Sequence, residues 1–363
     1  MAQRVGSTAT HRRPTIYDVA RVAGVSPTTV SHAMSGRGRV HPDTRVRVRS
    51  VAASLGYRAN PAAQYLAAGS SGTIGLCLPR TGLSRAYYHE VALGAADQAL
   101  SHGLALTLIP ALEDPAGVAR YAVDAFMVMD PRRGDPMLEA LRDLRLPVVT
   151  GDRDLDPKAT WAGVLETDQH DAFVQLLEHM FANGARRFAA VVSPPEQGWM
   201  ASTLATYTAW CRQHDIVPRT TRVPFINTPA EVRLAARRLL GAKHPPDAIV
   251  GVMEQSALGV LSAATERGVR IPDDLLLASC VDISAHVASW PSITSLDLQP
   301  RVFGARLVDL VVRVLGGERD VVGSVKAQLR VRASTRRASP HGRAHPATGD
   351  HHTQEHRHLS RQR

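Results

Sequence analysis

The sequence predicts an α/β protein in which a small all-α helix-turn-helix domain precedes a core of two doubly wound parallel sheets. Residues 15–38 have the pattern of two short helices separated by one glycine. Beyond residue 70, short apolar runs alternate with amphipathic segments, and this alternation occurs in two series. The chain has 363 residues, of which 44% are hydrophobic, so it is long enough to bury the cores of two or three domains.

Two helices and a tight turn are predicted for the start of this segment. Thr15 is a favoured N-cap for a first helix that continues to about Ala23, and Gly24 suits the left-handed conformation that ends a helix. Ser26 supplies the hydroxyl that caps a second helix, and Pro27 takes its first position. Because so few residues connect the helices, we expect them to pack against each other as a helix-turn-helix unit.

The second helix is predicted over residues 28–34. Its apolar side chains can form one seam with those of the first helix, made of Val19, Ala20, Val30, Ala33 and Met34. The opposite face then carries Pro27, Thr28, Thr29, Ser31 and His32. Two interpretations remain open from these residues alone: an ordinary αα-hairpin with caps, or a recognition helix whose N-terminus enters the major groove of DNA.

Positive charge is concentrated near both ends of the chain. Residues 1–70 contain ten arginines and two acidic residues, for a net charge of +8. Residues 336–363 carry +4, and residues 71–335 carry −2. Pro42-Asp43 starts a predicted third helix over residues 44–55, which contributes three of the N-terminal arginines, and Asn60-Pro61 caps a short fourth helix. A polyanion-binding surface is therefore expected at the ends of the chain.

The body of the chain predicts buried parallel strands, because apolar runs without alternation are typical of strands covered on both faces. These runs lie at 73–79, 104–110, 125–130 and 146–152 in the first series and at 188–193, 222–226, 248–253 and 275–280 in the second. Helical patterns separate them, at 168–183, 200–214, 229–240 and 256–267 and where Tyr88, Val91, Ala95 and Ala99 recur at helical spacing. Since ligands of such sheets bind beyond the carboxyl ends of the strands, we expect a small-molecule site in a cleft between the two sheets.

Several functional classes are disfavoured. The sequence contains no nucleophile elbow, Walker loop or HExxH motif, so we predict neither an enzyme nor a bound cofactor. The cysteines at 77, 211 and 280 form no CxxC pair, and the six histidines within 336–363 include one adjacent pair in a segment without apolar periodicity, so no metal site is predicted. Neither a signal peptide nor an apolar run of about 20 residues is present, which predicts a cytoplasmic protein with no membrane partner.

The motifs of the chain resemble those of the lactose-repressor (LacI/GalR) family of bacterial transcriptional regulators. Near the N-terminus the resemblance depends on YDVA at 17–20, AGVS at 23–26, TVS at 29–31, Thr44-Arg45 after a valine, and LGYRANPAAQYLA at 55–67. Further motifs follow in the family's order at 183–187, 257–259, 268–274, 291–295 and 329–335. The resemblance therefore spans about residues 14–335.

The resemblance implies a DNA-binding headpiece and a periplasmic-binding-protein-like core that binds an effector. It places a disordered basic arm at 1–13, the headpiece at 14–59, a hinge helix at 60–70, the core at 71–335 and a disordered Arg/His-rich tail at 336–363. The core has two subdomains, about 71–166 plus 296–324 and about 167–295 plus 325–335. The implied function is that of a ligand-responsive regulator, usually a repressor, which binds a near-palindromic operator in double-stranded DNA as a homodimer.

For DNA, the resemblance implies three groups of contacts. Base edges are contacted by Pro27, Thr28 and His32. Phosphates are contacted by Tyr17, Ser26, Thr29, Ser31, Arg39 and Arg45. The hinge residues Asn60, Ala63 and Leu66 lie over the minor groove, where Leu66 is inserted into a base step and bends the duplex. Because His32 stands where family members often have arginine, the preference at its base should differ.

The effector-binding positions implied by the family pattern are Asp152, Thr203, Phe225, Met253, Glu254, Val281 and Gln299. Thr203, Met253 and Val281 replace charged or amide side chains that family members use on sugar hydroxyls. We therefore expect a less hydroxylated or aromatic effector, unless Glu254 and Asp282 turn inward and compensate. Two alternatives stay open: a soluble small-molecule-binding protein or enzyme on the same core, and a regulator with a degenerate effector pocket.

Overall fold

The computed structural model describes residues 14–35, 38–58, 69–79, 85–156, 159–225 and 227–337. The arm predicted at 1–13, the hinge residues Asn60, Ala63 and Leu66, and the tail from residue 338 lie outside the described residues. In the described part of the chain, no helix is both long and apolar enough to cross a membrane.

Three short helices form the N-terminal domain: α1 (Ile16–Ala23), α2 (Pro27–Ser35) and α3 (Pro42–Ser54). Their buried side chains make one small core, which consists of Val19, Ala20, Ala23, Val30, Ala33, Val48 and Ala52. Met34 packs against this core, so the predicted apolar seam is confirmed. The third helix begins at Pro42, as predicted, because proline is favoured in the first turn of a helix.

The remaining elements alternate between helices and strands, as a doubly wound fold requires. The helices are α4 (Ala86–Ser101), α5 (Pro136–Asp143), α6 (His170–Ala182), α7 (Gly198–Gln213), α8 (Pro229–Leu240), α9 (Ser256–Glu266), α10 (Ser284–Ala288) and α11 (Pro300–Leu315). The strands are β1 (Thr73–Cys77), β2 (Ala105–Ile109), β3 (Ala125–Met129), β4 (Val148–Gly151), β5 (Gly163–Asp168), β6 (Phe188–Val192), β7 (Arg219–Arg222), β8 (Ala248–Gly251), β9 (Leu276–Ser279), β10 (Thr294–Asp297), β11 (Val321–Lys326) and β12 (Gln328–Arg330). Short 3-10 helices lie at Pro115–Arg120 and Ala333–Thr335.

The chain divides into two compact units. The first is drawn from Met1–Leu83, Tyr88–Glu166 and Arg301–Gly323, and the second from Ser84–Tyr87, Thr167–Pro300 and Ser324–Arg363. Two six-stranded sheets lie in the described part of the chain, and each has a predominantly parallel arrangement.

The sheet of the first unit has the strand order β11-β5-β4-β3-β1-β2. Parallel pairing joins β1 to β2 and to β3, and continues from β3 through β4 to β5. Phe126 and Val148 face a core that includes Leu138 of α5. On the opposite face, Phe303 of α11 lies against Gly151 of β4. Helices thus cover both faces, which explains why these strands are apolar without alternation.

The sheet of the second unit has the strand order β12-β10-β9-β8-β6-β7. All its pairs are parallel except that of β10 with β12. Successive residues of β6 point into different cores: Phe188 and Ala190 pack with α6 and α7, whereas Ala189 and Val191 pack with α8 and α9. This arrangement confirms the predicted doubly wound sheet.

The strand predicted at 222–226 is wrong, because the structure forms β7 at Arg219–Arg222 instead. This is an edge strand that pairs with β6 alone, and its side chains alternate between half-buried and exposed positions. Polar residues are compatible with a half-exposed edge strand, so no apolar run indicates this strand in the sequence. The apolar residues that follow, Val223 and Phe225, pack on the cores from a loop that contains Pro224.

Candidate functional site

Local hydrogen bonds fix the turn between α1 and α2. The Asp18 carboxylate accepts from the Thr15 amide at 2.9 Å and from the Thr15 hydroxyl at 2.7 Å, which closes the start of α1. Gly24 has a φ of 65°, the left-handed conformation expected where α1 ends. The Thr29 amide donates to Ser26 Oγ at 3.1 Å, so Ser26 caps α2 as predicted.

The side chains predicted to contact DNA differ in exposure. Thr28 and His32 are exposed and lie four residues apart, on one face of α2. Pro27, Thr29 and Ser31 are half-buried rather than fully outward.

Tyr17, the predicted phosphate contact of α1, is 70% exposed, and Arg39 is exposed in the segment before α3. The base-contact and phosphate-contact candidates of α1 and α2 thus reach the surface of the same small domain. An exposed tyrosine beside arginines suits a phosphate backbone, to which both side chains can donate hydrogen bonds.

Gly38 restricts the position of the His32 side chain. Its imidazole lies against the backbone of Gly38, where a Cβ atom would come within 2.7 Å of Nδ1. Gly38 has a φ of 77°, which also favours glycine. The close approach therefore requires a glycine and limits the rotamers open to His32.

Arg45, on the first turn of α3, is half-buried. Its Nε is buried and has no hydrogen-bond partner among the described residues. Buried donors are nearly always paired in folded proteins. The described residues, however, provide no acceptor for Nε of Arg45. That property suits the phosphate-binding role predicted for it.

The second unit brings several predicted effector residues to one edge of its sheet. Phe225 follows β7, Met253 and Glu254 follow β8, and Val281 follows β9. The carboxyl ends of parallel strands meet at the same edge, which is where open α/β sheets bind ligands. Phe225 packs, half-buried, against the same core as Met253.

Thr203 is buried on α7, and its hydroxyl makes two hydrogen bonds within the fold. It donates to the Trp199 carbonyl at 2.8 Å and accepts from Gln169 Nε2 at 2.9 Å. A threonine hydroxyl has a single proton to donate. The position therefore offers a ligand no free donor.

The two acidic side chains that were expected to compensate for lost contacts are both engaged. Glu254 is buried and accepts from the amides of Ala86 and Tyr87 at 3.1 and 3.2 Å. Asp282 forms a two-pronged ion pair with Arg332, with oxygen–nitrogen distances of 2.7 and 2.6 Å. Each carboxylate thus has partners within the second unit.

The structure adds a residue that the sequence patterns missed. Arg85 is only 6% exposed and donates from Nη2 to the Phe225 carbonyl at 3.0 Å. Its guanidinium carbon lies 6.0 Å from the centroid of the Phe225 ring. Nε and Nη1 are buried without hydrogen-bond partners among the described residues. A lone arginine before an apolar helix gives no sequence signal, because its burial depends on residues far along the chain.

Two further candidates have roles in the local backbone. Gln299 has a φ of 52°, its amide donates to Asp297 Oδ1 at 2.9 Å, and its Nε2 donates to the Lys326 carbonyl at 2.6 Å. The Val281 carbonyl accepts from Ser279 Oγ at 2.8 Å. Gln299 therefore ties two chain segments of the second unit together through one N–H of its side-chain amide.

Asp152 belongs to the first unit, where it directly follows β4. It is buried, has a φ of 74°, and its amide donates to the Leu165 carbonyl at 2.7 Å. Asp130 follows β3 in the same unit and accepts from the Tyr88 hydroxyl. Positive φ angles in two buried aspartates at adjacent strand ends indicate a backbone that is constrained at this edge of the sheet.

The cysteines lack the environment of reactive thiols. All three are buried, and burial, with a smaller effect of Asp135, raises the pKa of Cys77 to about 12. Burial also raises the pKa of Cys211 and of Cys280. These thiols stay protonated at neutral pH. Among the described residues, no group of three or more histidine, cysteine and acidic side chains is arranged to hold a metal ion.

Comparison with known proteins agrees with this architecture. Residues 15–60 match the family described as bacterial regulatory proteins, lacI family, and residues 177–335 match the periplasmic binding protein-like domain. Catabolite control protein A of Staphylococcus xylosus is 28% identical over 79% of this chain and 87% of its own length. The HTH-type transcriptional regulator AglR of Rhizobium meliloti is 28% identical over 88% of this chain and 94% of its own length.

Solved structures share the fold. A lac repressor dimer bound to operator and the anti-inducer ONPF superposes with a TM-score of 0.76 at 21% identity, over 89% of this chain and 99% of that one. The transcriptional regulator CelR in complex with cellobiose gives a TM-score of 0.68 at 23% identity, over 89% and 100%. A helix-turn-helix domain joined to a periplasmic-binding-protein-like domain defines a ligand-responsive DNA-binding regulator. Residues 15–60 thus carry the DNA-binding domain of the LacI family of bacterial transcriptional regulators, and the chain is similar to regulators of that family over most of its length.

Proposed function

We propose that the protein is a repressor that binds a near-palindromic operator as a homodimer and responds to a small-molecule effector. The observation that carries the proposal is the exposed pair Thr28 and His32 on a helix that Ser26 caps. A capped helix N-terminus with exposed polar side chains, in a segment of net charge +8, suits the major groove of DNA. Binding to chromosomal DNA would place the protein in the bacterial cytoplasm.

The contacts divide by function. Pro27, Thr28 and His32 read bases, while the set Tyr17, Ser26, Thr29, Ser31, Arg39 and Arg45 binds phosphates and sets the register. We further propose that residues 14–59 act as the headpiece and 60–70 as the hinge. Asn60, Ala63 and Leu66 would contact the minor groove, with Leu66 inserted into a base step.

For the effector, the proposal places the site at the carboxyl edge of the second sheet. Phe225, Met253 and Glu254 support this placement because they follow adjacent strands and lie in one unit. An effector that binds the operator-competent and operator-incompetent states with different affinity needs a coupling of only about 1–3 kcal/mol to change operator affinity about 5- to 150-fold. The CelR structure contains cellobiose. We expect a different ligand here, since the Thr203 hydroxyl has no free donor.

Fluorescence anisotropy with duplex DNA tests the DNA-binding role. The full-length protein should bind an operator fragment more tightly than a scrambled duplex, with an affinity that falls steeply as salt rises. His32→Ala should change the ranking of operator variants at one base pair in each half-site, whereas Arg45→Ala should weaken all variants alike. Equal losses in both substitutions would show that His32 does not read a base.

The same assay separates the alternatives. A solute-binding protein or enzyme on this core would bind a small molecule without binding duplex DNA, and a regulator with a degenerate pocket would bind DNA but no effector. For the hinge, Leu66→Ala should reduce bending in a circular-permutation assay and leave the melting of the core unchanged. A large fall in the melting temperature with normal bending would instead assign Leu66 to packing.

A further inference from the structure

An arginine without a counter-charge lies at the carboxyl edge of the second sheet. Only 6% of Arg85 is exposed. Among the described residues, one of its three guanidinium nitrogens has a hydrogen-bond partner. That partner is a neutral carbonyl, of Phe225. The ion pairs of the described residues do not include Arg85. The Glu254 carboxylate accepts hydrogen bonds from the backbone amides of Ala86 and Tyr87, which follow Arg85 in the chain.

A buried guanidinium without a counter-charge destabilises the folded protein when no ligand is bound. A guanidinium stays charged at all physiological pH values, so it cannot relieve burial by losing its proton. A buried charge is ordinarily paired, and a buried donor is ordinarily bonded. The contrast with Arg332 is direct, because that half-buried arginine in the same unit is paired with Asp282 on two nitrogens. Arg85 therefore has the charge and the donors for an anion that the described residues do not supply.

Other unsatisfied groups belong to residues that follow the strands at the same edge of the sheet. Buried polar atoms without partners among the described residues are Gln197 Oε1, Trp199 Nε1, Asn227 Oδ1 and Ser256 Oγ. They follow β6, β7 and β8, the strands whose carboxyl ends face the proposed effector site. Asn227 also donates to the Phe225 carbonyl, the acceptor that Arg85 uses, at a longer 3.4 Å. Arg85 and Asn227, each with an unsatisfied atom, thus meet at the Phe225 carbonyl.

We infer that the effector is an organic anion whose carboxylate or phosphate binds Arg85 while its apolar body lies against Phe225. This rests on the proposed function of the second unit as the effector domain. A guanidinium fork matches both oxyanions with two parallel hydrogen bonds, which a neutral sugar does not reproduce. The aromatic ring supplies the complementary apolar surface. Arg85 is a binding residue in this assignment, and Glu254 positions it by fixing the amides of Ala86 and Tyr87.

Thermal shift measurements with matched anionic and neutral probes test the inference on the full-length protein. The pairs are phenylacetate with phenylacetamide and phenyl phosphate with phenol, at equal ionic strength, with inorganic phosphate as a further probe. At least one anion should raise the melting temperature more than its neutral counterpart. The responding pair identifies whether the carboxylate or the phosphate is the natural group.

Arg85→Met is the decisive variant. It should weaken binding of the responding anion at least about tenfold, because charge-assisted hydrogen bonds are lost. Without ligand it should melt at a temperature equal to or above that of the wild type, since a buried unpaired charge is removed. The control is Arg233→Met, which removes an arginine that is 46% exposed and paired with Glu266, and which should keep the anion response.

Three outcomes overturn the inference: neutral probes that stabilise as well as the anions, an anion response that survives in Arg85→Met, or a ligand-free Arg85→Met protein that melts well below the wild type. The last result would make Arg85 a packing residue. Operator binding by the ligand-free wild type is measured first. The measurement is repeated with each probe, and absence of operator binding both with and without probes contradicts the proposed function, whereas operator binding without an Arg85-dependent anion response contradicts this inference alone.

Discussion

Protonation of His286 should set the acid limit of stability for the second unit. His286 is fully buried, with Nδ1 at 3.3 Å from Ser295 Oγ. Burial lowers its pKa to about 4, although the neighbouring Asp282 raises it, and Arg332 adds to the lowering. In the unfolded chain a histidine has a pKa of about 6.5. Between these two pKa values, His286 is therefore protonated in the unfolded state but not in the folded state.

The sign and size of the effect follow from this difference. Because the folded pKa is depressed, the histidine does not destabilise the fold above about pH 6.5, and stability is lost as the pH falls toward 4. The full decrease in the free energy of unfolding is about 3 kcal/mol, and about 2 kcal/mol of it should occur between pH 7 and pH 4.5.

Urea unfolding at these two pH values measures the loss. His286→Gln should be less stable than the wild type at neutral pH, because a packed ring is lost, yet it should lose about 2 kcal/mol less on acidification. His244→Gln, at an exposed position of the same unit, should keep the wild-type loss. If His286→Gln and the wild type lose equal stability between the two pH values, the buried histidine is not the group that titrates.

Two further predictions use glycines that contact other parts of their own domain. A Cβ on Gly94 would lie 2.0 Å from the Arg301 carbonyl oxygen, so Gly94→Ala should cost about 1–3 kcal/mol or more in denaturant unfolding. Gly117→Ala, where the nearest atom is 3.6 Å away, should stay within about 0.5 kcal/mol, and similar costs for both would refute the steric argument. Gly38→Ala should displace His32 and change the preference at the same base pair as His32→Ala. An unchanged ranking of operator variants in Gly38→Ala would show that this contact does not orient the imidazole.

The headpiece was predictable because its determinants are local. Gly24 ends α1 and Ser26 caps α2 through bonds that span at most five residues. The central strands of both sheets were predictable as well, since burial on both faces requires continuous apolar runs. The edge strand β7 was not, because its sequence Arg-Thr-Thr-Arg satisfies a half-exposed position without an apolar pattern.

The candidate effector site was less predictable, since its chemistry depends on contacts between distant residues. The Arg85 to Phe225 hydrogen bond joins residues 140 apart in the chain, and the Glu254 to Ala86 bond joins residues 168 apart. A sequence pattern cannot indicate that Glu254 is occupied by backbone amides or that Arg85 is buried without a counter-charge. Both facts alter the chemistry expected of the effector.

Selection of duplexes from a random-sequence library by the full-length protein tests the DNA-reading role of α2 most directly. We expect enrichment of a near-palindromic site, and a repeat with His32→Ala should change the selected base at one symmetric pair of positions while the rest of the site is kept. Enrichment of no sequence, or an identical site selected by the wild type and by His32→Ala, would contradict the assignment of His32 on α2 to base recognition.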